Sequence, residues 1–188
     1  MKAKHILYGI GVVLLGGLIA GHVASAISEE EEVDIYFNIN PSLKLTLSND
    51  EIKIDSLIPG TAVKSSGIDV TAESNSAYGF SVFATVGDGE TYTNTSLVNG
   101  EASFTSLGIN DGVALTAMNE NVWGYAQDGA DSYKGFPYFT STPTQIISSL
   151  TSGTKTTNIA IGARASSTQP AGEYTNIINF ALIATIGD

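Results

Sequence analysis

Cysteine is absent from the sequence, and histidine occurs only twice, at His5 and His22. Both histidines lie within the first 26 residues, so the rest of the chain has neither an imidazole nor a thiol. These groups supply most general bases, nucleophiles and transition-metal ligands in proteins. We therefore expect a protein that is not an enzyme and that uses no cofactor.

Basic side chains are the next scarce group. The chain has eight lysines and arginines against 19 aspartates and glutamates. Two of the basic residues lie in the first 26 positions, and the other six, against all 19 acidic residues, leave a formal net charge of −13 from residue 27 onward. Binding to a phosphate backbone requires clustered lysine and arginine, and these six are scattered singly. We expect no nucleic-acid partner.

The first 26 residues have the three parts of a secretion signal. Lys2 and Lys4 form a basic start, residues 6–20 are apolar, and Ala24-Ser25-Ala26 fits the small-x-small rule for signal peptidase cleavage. The sequence thus predicts a signal peptide over residues 1–26 and a protein secreted to the extracellular cell surface. The alternative is an uncleaved membrane anchor, because residues 6–26 are as long as a bilayer-spanning helix.

The rest of the chain consists of a short charged segment and one domain. Residues 27–32 include Glu29-Glu30-Glu31-Glu32, and adjacent like charges stay solvated, which predicts a flexible acidic spacer. Residues 33–188 have a length that suits a single domain. No disulfide can stabilise this domain, so its hydrophobic core must do so.

Hydrophobic residues along this domain alternate with a period of two, which is typical of half-buried strands. Turn-forming pairs such as Asn99-Gly100 and Asp128-Gly129 separate the alternating runs. The pattern predicts an all-β fold: an antiparallel β-sandwich, Ig-like or jelly-roll, preceded by the N-terminal apolar helix of the signal. The expected strands contain residues 33–39, 43–47, 52–54, 68–72, 78–84, 102–104, 122–126 and 159–163.

The C-terminal segment has the cleanest strand pattern. Residues 174–186 alternate over 13 positions, which predicts a long strand that crosses the middle of a sheet. Residues 143–150 fit either a short helical turn or a strand.

Residues 169–182 read Gln-Pro-Ala-Gly-Glu-Tyr-Thr-Asn-Ile-Ile-Asn-Phe-Ala-Leu. This segment resembles the Ala-Gly-x-Tyr-Thr ending of secreted bacterial surface domains, namely WxL-type cell-wall-binding proteins and fibre proteins similar to camelysin and TasA. Four further segments, within residues 68–82 and 123–137, are similar to surface proteins of Patescibacteria such as Saccharibacteria. The resemblance implies an extracellular, envelope-associated β-protein. Trp123 is followed by Gly124-Tyr125, which departs from the Trp-x-Leu motif, so peptidoglycan binding is not carried over.

Residues 123–139 contain a cluster of aromatic side chains. Aromatic rings form stacking surfaces for sugars or partner proteins, which predicts a binding surface. A lone tryptophan in a β-sandwich usually fills the core between the sheets, so core packing is the alternative. The predicted binding surface consists of Trp123, Tyr125, Tyr133, Phe136 and Tyr138, and Phe139 follows it.

Two weaker motifs have simpler explanations. Asp128 and Asp131 are the first candidates for a calcium site, because calcium prefers oxygen ligands, but turn formation explains the same residues. Ser152-Gly153-Thr154-Lys155 matches the Ser-x-x-Lys motif of penicillin-binding enzymes without its partner motifs, so we interpret it as coincidental.

These patterns favour a structural subunit of the cell surface, such as a fibre, pilus or biofilm-matrix component. Residues 33–39, with Val33, Ile35, Phe37 and Ile39 on one face, are a candidate donor strand that adds to the sheet of a neighbouring subunit. Pairing of this strand within its own chain is the alternative. The expected partners are copies of the protein itself, or other envelope proteins and glycans.

Two other functions remain as hypotheses. The first is a monomeric adhesin that binds glycans or a host through residues 123–139. The second is a secreted hydrolase that uses a pair of its carboxylates, but no recognisable base and nucleophile pair supports it. Membrane contact is expected only through residues 1–26, if these are not cleaved.

Overall fold

The structure is a computed structural model that describes residues 39–40 and 42–186. Contacts divide the chain into two units, Met1–Asn38 and Ile39–Asp188, and the second unit is a compact β-domain. The predicted signal helix, the acidic spacer and the first three donor-strand positions lie outside the described residues. Among the helical residues that are described, none belongs to a helix long and apolar enough to cross a membrane.

Strands dominate the described part of the chain, which confirms the all-β class. The one short helix there is a 3-10 turn, Leu115–Ala117. The strands are β1 (Leu43–Leu47), β2 (Ala62–Lys64), β3 (Ile68–Ser74), β4 (Phe80–Val86), β5 (Leu97–Asn99), β6 (Ala102–Ser106), β7 (Val122–Gln127), β8 (Thr144–Ser149), β9 (Gly153–Arg164) and β10 (Ile178–Ala184).

The strands form two sheets. The larger sheet has the order β1-β3-β9-β7-β6-β5, with β2 also pairing to β9, and the smaller sheet has the order β10-β4-β8. β6 and β7 run parallel, so the expectation of an entirely antiparallel arrangement is wrong at this pair. Residues 107–121 connect these two strands, and a parallel pair requires a crossover of about this length.

The two sheets pack against each other around the main core, so the fold is β-sandwich-like. In β4, every second residue from Phe80 to Val86 is buried, and the residues between them are half-buried. Each large apolar side chain buried in this way contributes about 1.5–3 kcal/mol. The buried core residues are Ile68, Val70, Ala72, Phe80, Val82, Ala84, Val86, Phe104, Trp123, Tyr125, Phe136, Ile146, Ile147, Ile159, Ile161, Ala163 and Ala165.

A second, smaller cluster covers the outer face of the larger sheet beside β7. Met118, Ala126 and Tyr133 are buried there, with Leu115 packed against them. A Cβ atom at Gly162 of β9 would lie 2.6 Å from the Tyr133 ring. Glycine in the middle of β9 therefore allows Tyr133 to lie flat on the sheet.

The C-terminal strand differs from its prediction. Of residues 174–186, Ile178–Ala184 form β10, which is the edge of the smaller sheet among the described residues. Thr175 instead forms an isolated bridge to the larger sheet. The Asn176 side chain donates a hydrogen bond to the Ser96 carbonyl oxygen at 2.7 Å. These contacts draw the start of the predicted strand away from β4.

The long central strand is β9, of which the sequence predicted only residues 159–163. The first half of β9 is polar on both faces, so this segment lacks apolar alternation. The Thr156 hydroxyl there forms a hydrogen bond with the Thr71 hydroxyl at 2.9 Å. Residues 52–54 form no strand, because this segment links β1 to β2 across one end of the sandwich. Residues 143–150 contain strand β8, so this segment is a strand and not a short helical turn.

Candidate functional site

Most of the predicted aromatic surface lies inside the domain. Trp123 is 1% exposed, and its Nε1–H donates to the Thr95 carbonyl oxygen at 3.0 Å. Tyr125 and Phe136 are buried and stacked, with ring centroids 3.7 Å apart. Tyr133 belongs to the smaller cluster outside β7. These four side chains are therefore buried, and of the four only Phe136, 1% exposed, also lines the surface groove beside Tyr138.

Tyr125 is the most perturbed titratable group of this cluster. Its ring is fully buried, and its hydroxyl lies near the Thr144 side chain without a hydrogen bond of normal geometry among the described residues. Burial raises the pKa of Tyr125 to about 12, because the phenolate loses its hydration in the core. A buried group of this kind stays neutral at physiological pH and contributes packing.

Tyr138 is the member of the predicted surface that reaches solvent. It borders a surface groove with a volume of about 480 Å³. The neighbouring Phe139 is 39% exposed and packs edge-to-face against the Tyr138 ring. Apolar faces and hydroxyl groups occur together in this groove, as they do in sites that bind sugars. Its lining includes Thr95, Ile109, Pro137, Tyr138, Ser141 and Thr142.

The two candidate calcium ligands bond to different parts of the domain. Asp128 Oδ1 accepts hydrogen bonds from the Thr157 hydroxyl at 3.0 Å and the Asn158 N–H at 2.9 Å. Asp131 Oδ1 accepts one from the Leu115 N–H at 2.8 Å. Within residues 39–40 and 42–186, no three histidine or acidic side chains are grouped as metal ligands. Both carboxylates hold turns against neighbouring segments.

One side of the sandwich is bordered by an edge strand from each sheet. β1 is the edge of the larger sheet and β10 is the edge of the smaller sheet, and the two strands contact each other. Leu43 and Leu47 of β1 are 44% and 37% exposed. The core-facing residues of β10, from Ile178 to Ala184, are half-buried. We name this side the β1–β10 seam, and its apolar side chains are incompletely covered.

Among the described residues β10 pairs with β4 alone, so one row of its backbone groups at this seam has no partner strand there. The Thr185 N–H donates to the Gly79 carbonyl oxygen at 2.9 Å, and the Ile177 carbonyl oxygen accepts from the Gly87 N–H at 2.8 Å. In an antiparallel pair, alternate residues direct both backbone groups to the same neighbour. Residues 178, 180, 182 and 184 therefore direct theirs to the free edge.

This edge lacks the features that usually protect edge strands. β10 contains no charged residue and no proline, and its pairing with β4 is regular over seven positions. The other edges are different: β1 contains Lys44, β5 has three residues, and the pairing of β8 is irregular. An exposed, regular and uncharged edge is a template for pairing with another strand.

The predicted donor strand leads into this domain. Val33, Ile35 and Phe37 lie outside the described residues, whereas Ile39 is described and is 80% exposed. From there the chain passes Asn40, whose carbonyl oxygen accepts a hydrogen bond from Asn75, and enters β1.

Sequence reasoning missed the β10 edge because it placed this strand in the middle of a sheet. A signal was present, since residues 174–187 contain no charged side chain. Edge position itself depends on long-range pairing and leaves no local pattern.

No protein-family model matches this sequence, and a search of curated proteins finds no match.

Proposed function

We propose that the protein is a secreted structural subunit of the cell surface that assembles with copies of itself by β-strand addition. In this assembly, residues 33–39 of one copy pair with the free edge of β10 in the next copy. The observation that carries the proposal is the uncharged, regular edge of β10.

The match between donor and acceptor supports this pairing. β10 has seven residues, and the donor segment 33–39 has the same length. Val33, Ile35, Phe37 and Ile39 occupy alternate positions, so they face one side of a strand. An added strand places these side chains over the exposed parts of Leu43 and Leu47. It also supplies hydrogen-bond partners to the free backbone groups of β10.

The resemblance to secreted surface and fibre proteins favours the same function and localisation. For the finer topology we propose a jelly roll over an Ig-like arrangement. β3 pairs with β9 while β4 pairs with β8, and such nested pairs are typical of a folded-over hairpin.

Size-exclusion chromatography and electron microscopy of the protein from Ile27 onward test for assembly. We expect large species or filaments, and we expect deletion of residues 33–39 to abolish them. Deletion of residues 29–32 is the matched control, since it removes only the acidic run and should leave assembly intact. Assembly that survives the 33–39 deletion would contradict the donor role.

Engineered cysteines identify the acceptor, because the native chain has none. We expect copies carrying Ile35→Cys to form disulfides with copies carrying a cysteine at Phe180, Leu182 or Ala184. Ala181→Cys is the control, since this side chain lies on the outer face of β10. Disulfides that form only when both cysteines are in one chain would show pairing within the chain and exclude strand exchange.

A second candidate function is a glycan-binding adhesin, which the groove at Tyr138 favours. Saturable binding of a glycan by a monomer, lost in Tyr138→Ala, would support it.

A further inference from the structure

Four loops or chain ends meet at one end of the sandwich. These segments are residues 39–40 with 42, 75–79, 149–153 and 185–186, and we name this region the uncharged end. The Asn75 side chain bonds to residues 40 and 42, and the Thr185 N–H donates to the Gly79 carbonyl oxygen. Gly79 also lies against the backbone of Ser149 and Leu150. The four segments therefore form one continuous surface.

This surface carries the most exposed apolar side chains of the described chain. Leu150, Ile39 and Ile186 are 86%, 80% and 78% exposed, and no other large apolar residue among those described exceeds 61%. Tyr78, on the loop between β3 and β4, is 59% exposed. Single exposed apolar residues are normal on protein surfaces. Here four exposed apolar residues from four separate segments meet at one end. Burial in the core of the domain does not account for their position.

Acidic side chains are more frequent at one end of the domain than at the other. The segments of the uncharged end contain no lysine, arginine, aspartate or glutamate, and Lys44 and Glu73 of the adjoining strands border it beside Ser42 and Asn75. At the opposite end, acidic residues follow β1, follow β4 and precede β10, and one nearby lysine, Lys53, pairs with Glu51 at 2.7 Å. We name this the acidic end; its acidic residues are Asp50, Glu51, Asp55, Asp88, Glu90 and Glu173.

The N-terminal part of the chain joins the domain at the uncharged end. Ile39 belongs to that end, and residues 6–26 form the apolar run of the sequence. The residues between them, about a dozen, can span up to about 40 Å. In sequence the apolar run therefore precedes the uncharged end, with Glu29-Glu30-Glu31-Glu32 and Asp34 between them.

We propose that the uncharged end is a membrane-docking surface, which places Ile39, Tyr78, Leu150 and Ile186 in the interfacial layer of a lipid bilayer. Aliphatic side chains favour the acyl boundary, and the amphipathic tyrosine ring favours the headgroup level. The acidic end then points away from the membrane. Docking by Tyr78, Leu150 and Ile186 does not depend on assembly of the subunits, whereas Ile39 reaches lipid only in a copy whose residues 33–39 are not added to a neighbour.

The charge distribution disfavours head-to-tail stacking on a second copy of the chain. Head-to-tail stacking of two copies would place the apolar side chains against the acidic end and would desolvate carboxylates, which is costly. A net charge of −13 from residue 27 onward repels anionic lipids. The surface therefore fits a membrane of zwitterionic lipid, and binding should weaken as anionic lipid is added.

Sedimentation with phosphatidylcholine vesicles tests the proposal. The protein from Ile27 onward is suitable, because both sheets and the described core lie within the compact unit Ile39–Asp188. At a concentration where the protein alone stays in the supernatant, we expect it to sediment with the vesicles. Leu150→Ser should reduce the partition coefficient about tenfold, since transfer of a leucine side chain is worth at least that factor. Leu150→Ser combined with Tyr78→Ser should abolish binding.

Ile58→Ser is the matched control, because Ile58 is 61% exposed in the segment between β1 and β2 at the acidic end. We expect it to leave the partition coefficient unchanged. A fluorophore on Leu150→Cys should shift to shorter emission wavelength with vesicles, whereas one on Ile58→Cys should not. Failure of the unaltered protein to sediment, or equal effects of Leu150→Ser and Ile58→Ser, would overturn the proposal. A dimer in lipid-free solution that Leu150→Ser dissociates would assign the surface to a second copy and overturn it as well.

Discussion

At the scale of single residues, Trp123 acts through packing between the two sheets. It is 1% exposed, and its indole N–H is satisfied by the Thr95 carbonyl oxygen. We expect Trp123→Ala to lower the free energy of unfolding by about 3–5 kcal/mol, because it leaves a large cavity. Urea denaturation followed by circular dichroism measures this loss. Tyr78→Ala, at an exposed loop, should cost less than about 1 kcal/mol. Equal costs would contradict the core role of Trp123.

Tyr125 makes the stability of the domain depend on alkaline pH. Its pKa is raised from 10.0 to about 12 by burial, so the unfolded chain loses this proton at lower pH than the folded domain does. The contribution of neutral Tyr125 to the free energy of unfolding is complete below about pH 10 and is lost as the pH rises through about 12. We expect the stability of Tyr125→Phe to fall less between pH 9 and pH 12, as measured by urea denaturation at each pH.

The same substitution also removes a buried hydroxyl that makes no hydrogen bond of normal geometry to the nearby Thr144 side chain. At pH 7 we therefore expect Tyr125→Phe to be neutral or stabilising by up to about 1 kcal/mol. Unchanged alkaline sensitivity, or a large loss at neutral pH, would contradict this account of Tyr125.

At the scale of secondary-structure elements, the turn between β3 and β4 depends on Gly79. Its φ is +89°, and a Cβ atom there would overlap the Ser149 carbonyl oxygen. Gly100, in the turn between β5 and β6, has φ of +59° and open space around it. We expect Gly79→Ala to cost at least about 3 kcal/mol, since backbone must shift. Gly100→Ala should cost about 1 kcal/mol. Thermal melts of both variants test the difference, and similar melting temperatures would refute it.

β10 is the element on which the proposed assembly depends. We expect Leu182→Lys to suppress assembly, because an inward-facing charge on an edge strand opposes strand addition. Ile183→Lys is the matched control, since Ile183 lies on the outer face of the same strand and is 56% exposed. Light scattering of the two variants at equal concentration measures the effect. Equal suppression by both would show that added charge, and not the blocked edge, is responsible.

At the scale of the whole molecule, net charge governs how copies approach one another. Six basic against 19 acidic residues give −13 from residue 27 onward, so copies repel at long range. The Debye length falls from about 30 Å at 0.01 M salt to about 8 Å at 0.15 M. We expect assembly to be faster at the higher salt concentration. Light-scattering kinetics at both concentrations test this, and faster assembly at low salt would indicate contacts between opposite charges.

Several features of the molecule follow from local sequence alone. Period-two alternation predicted β3, β4, β6 and β7, because a strand with one buried face must alternate whatever its partners are. The class of fold and the net charge of the domain follow from composition and pattern in the same way. The alternation of residues 52–54 was misleading, since Ile52 and Ile54 pack against the core without a partner strand.

Tertiary structure alone decided which features reach the surface and which strands lie at an edge. Trp123 and Tyr138 belong to one aromatic run, yet one is buried and the other borders a groove. β10 has the pattern of a central strand, yet one of its two sides has no partner strand among the described residues. Likewise, four uncharged segments that are far apart in sequence meet at one end. Burial, edge position and surface proximity depend on pairing between distant residues, which alternation within a single segment does not encode.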